Sequence, residues 1–454
     1  MSSTASPTIV TVVGAGLAGC LIATLLARRG HRVTLFERLP DMRRTHISAG
    51  RSINLALAAR GIRALEVAGV VQSVLPLLIP MRGRMVHALD GSLSFVPYGQ
   101  REHEAIYSVS RPGLNRVLLD AAESTGVELQ FGRTLIEADL SARQLIFAET
   151  SSGTRRTVDL QKVIGADGAG SVLRRCVVEH AGSTCSEALL AHRYKELTLP
   201  PGKNARHRLE KNALHIWPRG GFMLIALPNL DGSFTVTLFL PAQGDPSFES
   251  LTDPSAVEAF FASHFPDARE LMPDLGREFT ANPTGIMGTV RCDRWSLAED
   301  VLLIGDAAHA ITPFHGQGMN CALEDCRELN EWLERSETWS EGFASFETAR
   351  RPNTDAIAAM ALENYVEMRD SVRDPKFLLQ KTLSLELERR HPRRFVPRYS
   401  MVMFHDEIPY ATAYERGRVQ SEILSELTRH AATLAEVDYA QAERLILARL
   451  PEIA

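Results

Sequence analysis

The chain has 454 residues, of which 45% are hydrophobic and 23% charged, and its formal net charge is −5. This length buries large cores in two or three domains, and so mild an acidity argues against a polyanionic partner such as nucleic acid. No run approaches the roughly 18 uninterrupted apolar residues of a membrane span. The start, Met1 to Pro7, lacks the basic and apolar blocks of a secretory signal. Six cysteines show no CxxC spacing, which argues against a zinc site or a disulfide framework and fits a reducing cytoplasm.

The first element is an apolar strand, Thr8 to Val13, that stops at Gly14-Ala15-Gly16-Leu17-Ala18-Gly19. This spacing predicts a tight strand-to-helix turn whose backbone approaches a pyrophosphate, with the helix N-terminus facing the anion. The helix is expected over Leu17 to Arg29, closed by Gly30, and a second strand, Val33 to Phe36, ends at Glu37. A carboxylate there suits a ribose hydroxyl. Gly50 to Leu57 reads as a loop turning into a helix near Ala58. Short strands from Met81 to Tyr98 break at Asp90-Gly91, a hairpin signal. Arg111 opens an amphipathic helix through Leu114, Leu118 and Leu119, and strands alternate from about 128 to 165.

Val163 to Gly165 leads into Ala166-Asp167-Gly168, a turn of small residues in which Arg174 is placed to meet a phosphate or Asp167. Residues 186–290 read as β-rich, with a hairpin at Asp231-Gly232. Val301 to Ile304 is a buried strand ending at Gly305-Asp306, and Asp306 suits a ribityl hydroxyl. The loop Pro313 to Gly318 then opens a helix near Met319-Asn320, and almost everything beyond is helical. Glycines there let backbone approach a flat ring, and a helix start supplies donors for a reduced flavin's negative charge. His309 and His315 are weak candidates for a general base, and no metal set is apparent. Taken together, the three glycine motifs point to FAD. No second GxGxxG follows a strand, so a nicotinamide co-substrate has no fingerprint of its own.

The expected architecture is α/β: a Rossmann-like FAD-binding domain with an inserted β-sheet substrate domain and a C-terminal helical region. The FAD-binding domain takes 1–75, 109–184 and 290–349, the substrate domain 76–108 and 185–289, and the helical region 350–454.

These motifs, with Arg111 heading its helix, resemble the single-component FAD-dependent aromatic hydroxylases of the p-hydroxybenzoate hydroxylase fold. Within that group the blocks Gly50–Leu57, Met81–His87, Leu214–Pro218, Pro313–Asn320, Glu363–Met368 and Pro397–Val402 are similar to the kynurenine 3-monooxygenase family. The resemblance implies FAD contacts at Gly14, Gly16, Ala18, Gly19, Glu37, Arg38, Ala56, Arg111, Leu135, Asp306, Met319 and Asn320, to which the glycine motifs themselves add Asp167 and Gly318. It implies L-kynurenine contacts at Arg84, Tyr98, Asn364 and Tyr399. It further implies NADPH and O2 as co-substrates, hydroxylation at ring C3 through a flavin C4a-hydroperoxide, and a place in tryptophan degradation with a feed toward quinolinate and NAD synthesis.

Such chemistry needs no strong protein base, because the aniline nitrogen already enriches the ring carbon beside it. Eukaryotic members end in a hydrophobic anchor. Here the tail is charged (Glu422, Glu426, Arg429, Glu436, Asp438, Glu443), as expected of a cytoplasmic, bacterial-type form without a membrane anchor. Oligomeric state stays open, a homodimer included. The alternatives are hydroxylation of another aromatic acid, a flavin reductase of the geranylgeranyl-reductase type, and a non-enzymatic flavin-binding module.

Overall fold

The computed structural model describes residues 7–45, 54–367 and 374–453. Gly50 to Ile53 and Met368, which belong to two of the blocks above, lie outside the described residues, as does the start of the chain. Contacts divide the protein into two units: residues 1–78, 109–189 and 288–355 form unit 1, and 79–108, 190–287 and 356–454 form unit 2.

Unit 1 is built on a six-stranded sheet in the order Ser296–Leu297, Val301–Leu303, Lys162–Gly165, Ile9–Val13, Arg32–Glu37, Glu128–Phe131. All neighbours pair in parallel except the short Ser296–Leu297 edge. Ile9–Val13, almost wholly buried, is apolar except for Thr11 because both its faces are covered. The helix Leu17–Arg28 buries eight of its twelve residues, from Gly19 to Leu26. Gly30 follows its end at φ +87°, a left-handed turn that glycine adopts without steric cost. The helix Arg111–Ser124 buries Leu114, Leu118 and Leu119, and its N-cap Ser110 accepts from Gly113 N–H. Arg133–Asp139, Gln144–Glu149 and Arg155–Asp159 form a separate antiparallel sheet.

Unit 2 carries antiparallel hairpins at both expected turns. Gly83–His87 pairs with Leu93–Pro97 around Gly91, and Met223–Pro228 pairs with Phe234–Pro241 around Gly232. Leu214–Pro218 runs parallel to Gly83–His87, with Leu214 opposite Arg84. The β-rich reading of residues 186–290 misses three helices, Pro254–His264, Pro266–Arg269 and Leu275–Ala281. Their signal was present: Asp253 caps the N–H groups of Ser255 and Ala256, and Pro254 takes the first helical position. Phe260, Phe261 and Phe279 of these helices, with Phe265 at the junction of the first two, join Leu224, Val236 and Leu238 of the sheet in one core. A second core, around Leu387, Phe395, Ile423 and Ile446, holds the C-terminal helices together.

Candidate cofactor and substrate sites

In unit 1 the sheet register gathers the glycine motifs. Val13 lies opposite both Gly165 and Phe36, and Gly165 lies opposite Leu303. Gly14, Ala166-Asp167, Glu37 and Gly305-Asp306 therefore leave the carboxyl ends of neighbouring parallel strands, where such sheets bind ligands.

The packing there leaves no room for side chains. A Cβ on Gly14 would sit 2.4 Å from the Ala166 carbonyl oxygen, and one on Gly19 would sit 1.8 Å from that of Gly14. A Cβ on Gly16, by contrast, would meet nothing within 4 Å. Gly16 caps the helix Leu17–Arg28 without any side-chain bond, and no acid lies in the first turn. Open space thus faces free helix N–H groups, the arrangement that takes a phosphate. The residues fit FAD at this end.

Glu37 orders the same turn: its Oε2 accepts from Ala15 N–H at 2.8 Å and its Oε1 from Leu39 N–H at 2.9 Å. Each oxygen keeps a lone pair for a hydroxyl. Arg38 is exposed, and its carbonyl accepts from Thr150 Oγ1. Leu135 is buried opposite Phe147, whose ring stacks on Phe36 at 4.1 Å. Ala18 packs under Gly305, where a Cβ would come within 3.7 Å of it.

Asp306 is solvent-accessible, yet protein atoms crowd around it. That crowding raises its pKa, His309 and Arg111 oppose the rise, and Asp325 adds to it. Gly318 begins the helix Gly318–Arg335, which has no side-chain cap and no acid in its first turn, and Met319 is half-buried beside it.

Three residues have more structural duties than the sequence suggested. Asp167 accepts from Ser171 Oγ and Val172 N–H, at 2.5 and 2.8 Å, and so holds Ser171, the N-cap of the helix Val172–Ala181, and satisfies its first N–H. Arg174 turns away from it toward the carbonyls of Ala307 and Ala169 and toward Glu187. Asn320 spends its amide on Ala58 N–H and on the carbonyls of Ala56 and Gly316, all within 2.9 Å, which ties Ala56 to the glycine loop.

Of the two histidines, His315 is buried in its loop. His309 Nε2 meets Asp325 Oδ2 at 2.6 Å, and the same oxygen accepts from Gly305 N–H at 2.9 Å. Asp325 is in turn paired with Arg350 at 2.9 Å, Arg350 with Glu324 at 3.0 Å, and Glu324 with Arg60 at 2.8 Å. His309, Cys321 and Asp325 hold ligand atoms within 4.8 Å of one another, but the Arg350 guanidinium already supplies the cation. This buried network, absent from the sequence reading, fixes the Gly305 turn from behind.

In unit 2, Arg84 is 7% exposed and lies 5.7 Å from the Tyr98 ring and 5.4 Å from the Tyr399 ring. The two rings stack at 5.3 Å. No described carboxylate stands within ion-pair distance of Arg84; two phenols lie beside this buried cation, and Glu367 acts on it at longer range. Burial pulls its pKa down, and Tyr399, Tyr98 and Glu367 more than restore it. Burial raises both phenols, Tyr399 strongly, so both remain O–H donors at neutral pH.

Local structure explains the assembly. Tyr98 N–H donates to the Arg82 carbonyl at 3.0 Å, which sets Tyr98 beside Arg84. Gln100 reaches Leu385 and Glu388 on the helix Pro375–Arg390. Arg398, next to Tyr399, pairs with Glu363, next to Asn364, and Asn364 is 5% exposed on the helix Trp339–Val366. Two further residues belong here. Glu367 lies three positions beyond Asn364, just past the end of that helix, and its charge acts on Arg84. Lys381, whose pKa burial and Arg84 lower to about 8, shares the field of Arg84 and Glu367. Glu367 was legible from its spacing to Asn364, whereas Lys381 left no sequence signal.

Behind Arg84, His87 of the same strand bonds Asp267 Oδ2 at 2.7 Å and His215 Nδ1 at 2.8 Å. His215 Nε2 donates to the Glu210 carbonyl, and Trp217 Nε1 donates to Asp267. Burial pushes the His215 pKa down to about 4.

Fold and glycine cradle together define an FAD-binding flavoprotein, and residues 7–360 match the FAD binding domain family. The solved 2-methyl-3-hydroxypyridine-5-carboxylic acid oxygenase shares the fold at TM-score 0.67 and 22% identity, over 83% of this chain and 96% of that one. Pseudomonas aeruginosa PqsL in complex with 2-aminobenzoylacetate does so at TM-score 0.64 and 21% identity, over 80% and 97%. Kynurenine 3-monooxygenase of Xanthomonas campestris pv. campestris is 47% identical over 450 residues, 99% of this chain and 98% of its own. That of Myxococcus xanthus is 47% identical over 442 residues, 97% and 95%. The chain belongs to the kynurenine 3-monooxygenase family, a branch of these FAD-binding proteins. Among the described residues, no helix is long and apolar enough to cross a membrane.

Proposed function

We propose that the protein hydroxylates L-kynurenine at ring C3, consuming NADPH and O2 and yielding 3-hydroxy-L-kynurenine, NADP+ and water. The observation that carries the substrate reading is the buried Arg84 guanidinium, lying beside two stacked phenols with no carboxylate within ion-pair distance among the described residues. Such a cation is stabilised by an incoming carboxylate, which a planar guanidinium grips through two parallel bonds. Tyr98 and Tyr399 donate to the same carboxylate, Asn364 offers donor and acceptor, and Glu367 supplies the counter-charge for an α-ammonium. These groups together suit an α-amino acid head better than a simple aromatic acid, which gives Glu367 no partner.

Bound FAD supplies the hydride acceptance and oxygen chemistry, held at the Gly14–Gly19 turn, Glu37, Asp306 and the start of the helix Gly318–Arg335. The protein's own part is orientation: fixing the amino acid head restricts where the aromatic ring points, which lowers the entropic share of the barrier. The six free cysteines support a reducing, cytoplasmic setting.

The test is NADPH oxidation by the flavin-loaded protein with and without L-kynurenine, with the product weighed by mass spectrometry. The expected result is a kynurenine-stimulated rate and a product one oxygen atom heavier. Equal rates with and without kynurenine, and no such product, overturn the substrate. Arg84→Met is expected to raise the KM for kynurenine by about 10- to 100-fold, the worth of a lost charge-assisted pair, while flavin content stays unchanged.

A further inference from the structure

Cys185 begins the strand Cys185–Leu199 and Cys292 ends the strand Gly285–Cys292, and these strands are neighbours in the seven-stranded sheet. Asp293 N–H donates to the Thr184 carbonyl at 3.0 Å, and the side chains of Thr184 and Asp293 are also hydrogen-bonded. One step along each strand, Cys185 stands opposite Cys292. Further along, a Cβ on Gly288 would lie 3.4 Å from the Leu189 Cα, which preserves that register. The position after a hydrogen-bonded antiparallel pair is a non-hydrogen-bonded one, with Cα atoms about 4.5 Å apart and side chains on one face. A disulfide accepts Cα separations of about 4.4–6.8 Å. Both cysteines are free thiols, hydrogen-bonded to each other.

We infer that Cys185 and Cys292 are a redox pair that closes reversibly to a disulfide when the protein meets hydrogen peroxide. The two sulfurs have unequal access. Cys185 is half-buried and open to a small oxidant, whereas Cys292 is 5% exposed. Burial and the neighbouring Cys185 hold the Cys292 thiol protonated, which suits the resolving partner rather than the thiol that peroxide oxidises first. Arg174, anchored on Glu187 at 2.8 Å, puts a positive charge beside the pair.

In the first step the Cys185 thiolate attacks one peroxide oxygen. The O–O bond breaks, leaving Cys185 sulfenic acid and a hydroxide that takes a proton to become water. The Cys292 sulfur then attacks the sulfenic sulfur, the S–O bond breaks, and the Cys292 proton leaves with the hydroxyl as a second water. Two thiols are oxidised to one disulfide and one peroxide is reduced to two waters. The bridge joins the strand by which the chain leaves unit 1 to the strand by which it returns, and so closes the whole intervening segment into a loop.

The experiment exposes flavin-loaded protein to hydrogen peroxide, blocks remaining thiols by alkylation and maps peptides without reduction. The expected result is a loss of about 2 Da, a linked Cys185–Cys292 peptide, and a rise in Tm of a few degrees that dithiothreitol reverses. Cys20, Cys321 and Cys326, all fully buried, should remain alkylatable once the protein is denatured. Cys185→Ser and Cys292→Ser each abolish the mass loss. Should wild-type protein keep both thiols, halt at an oxidised Cys185 beside an intact Cys292, or link Cys185 to Cys176, the pair is not the device inferred here. The wild-type map decides this even where a serine variant folds poorly.

Discussion

The two sites solve opposite problems with opposite materials. Around Gly14, Ala166 and Gly305 the protein removes side chains, so that backbone donors and strand ends can approach a large anionic cofactor. Around Arg84 it does the reverse and packs long polar side chains from distant segments into one buried cluster. The first design is backbone geometry; the second is side-chain assembly. They should therefore fail differently.

Gly19→Val gives the largest effect. Its Cβ would meet the Gly14 carbonyl oxygen at 1.8 Å, a contact that only moving the backbone relieves. The expected outcome is protein purified without yellow colour, or not recovered, read from the flavin absorbance per protein. Gly16→Ala, with nothing within 4 Å, should fold normally and lose FAD affinity alone, because its new methyl group stands where the phosphate belongs.

Arg350→Met comes next. It strips the shared cation from Glu324 and Asp325, each at most 1% exposed, and leaves buried charge uncompensated. Removing one partner of a buried ion pair costs about 3–5 kcal/mol, which a chemical denaturation curve reads directly. Asp325 also holds Gly305 N–H, so FAD retention should fall with stability, unlike in the Arg84 variant.

Acid should find unit 2 through His215. Its folded pKa is about 4 against an ordinary value of 6.5. Unfolded chains then bind the extra proton first, so the contribution is intact above pH 6.5 and is lost as pH falls toward 4. Asp267, whose pKa its bonds to His87 and Trp217 hold down against burial, works in the same direction at lower pH. The loss amounts to about 2–3 kcal/mol. A stability–pH curve for His215→Gln that keeps the wild-type slope between pH 6.5 and 4 would remove His215 as its source.

The smallest effect is expected at Lys381. With a pKa of about 8, it gives up its charge just above neutrality and weakens the field that draws in a carboxylate. The wild-type KM for kynurenine should climb as pH passes 8, while Lys381→Met should start modestly higher and stay flat there. Identical profiles would mean that Lys381 does not sense the bound head group.

What could be read in advance follows the same division. The glycine turns, the hairpins at Asp90-Gly91 and Asp231-Gly232, and the helix after Arg111 all depend on residues a few positions apart. Their signatures are intact in the bare chain. The helices of residues 254–281 were also written locally, in Asp253-Pro254, but the surrounding β-rich texture masked them. His309 illustrates the other failure: as a sequence it is a candidate base, and only its 2.6 Å contact with Asp325 makes it part of a structural network. Asp167 likewise proves to hold the start of a helix as well as to be a motif residue.

By itself, then, the sequence determined where the backbone turns, which strands are buried on both faces, and that a phosphate-sized gap precedes the first helix. Steric exclusion at a missing Cβ is a local property, and it is written residue by residue. Tertiary structure alone decided that Arg60 and Glu324 neutralise each other across 264 positions, that Arg84 meets Tyr399, and that Cys185 stands opposite Cys292. Charge, ring and thiol pairings act through space over a few ångströms, and no periodicity along the chain encodes which distant segment will supply the partner.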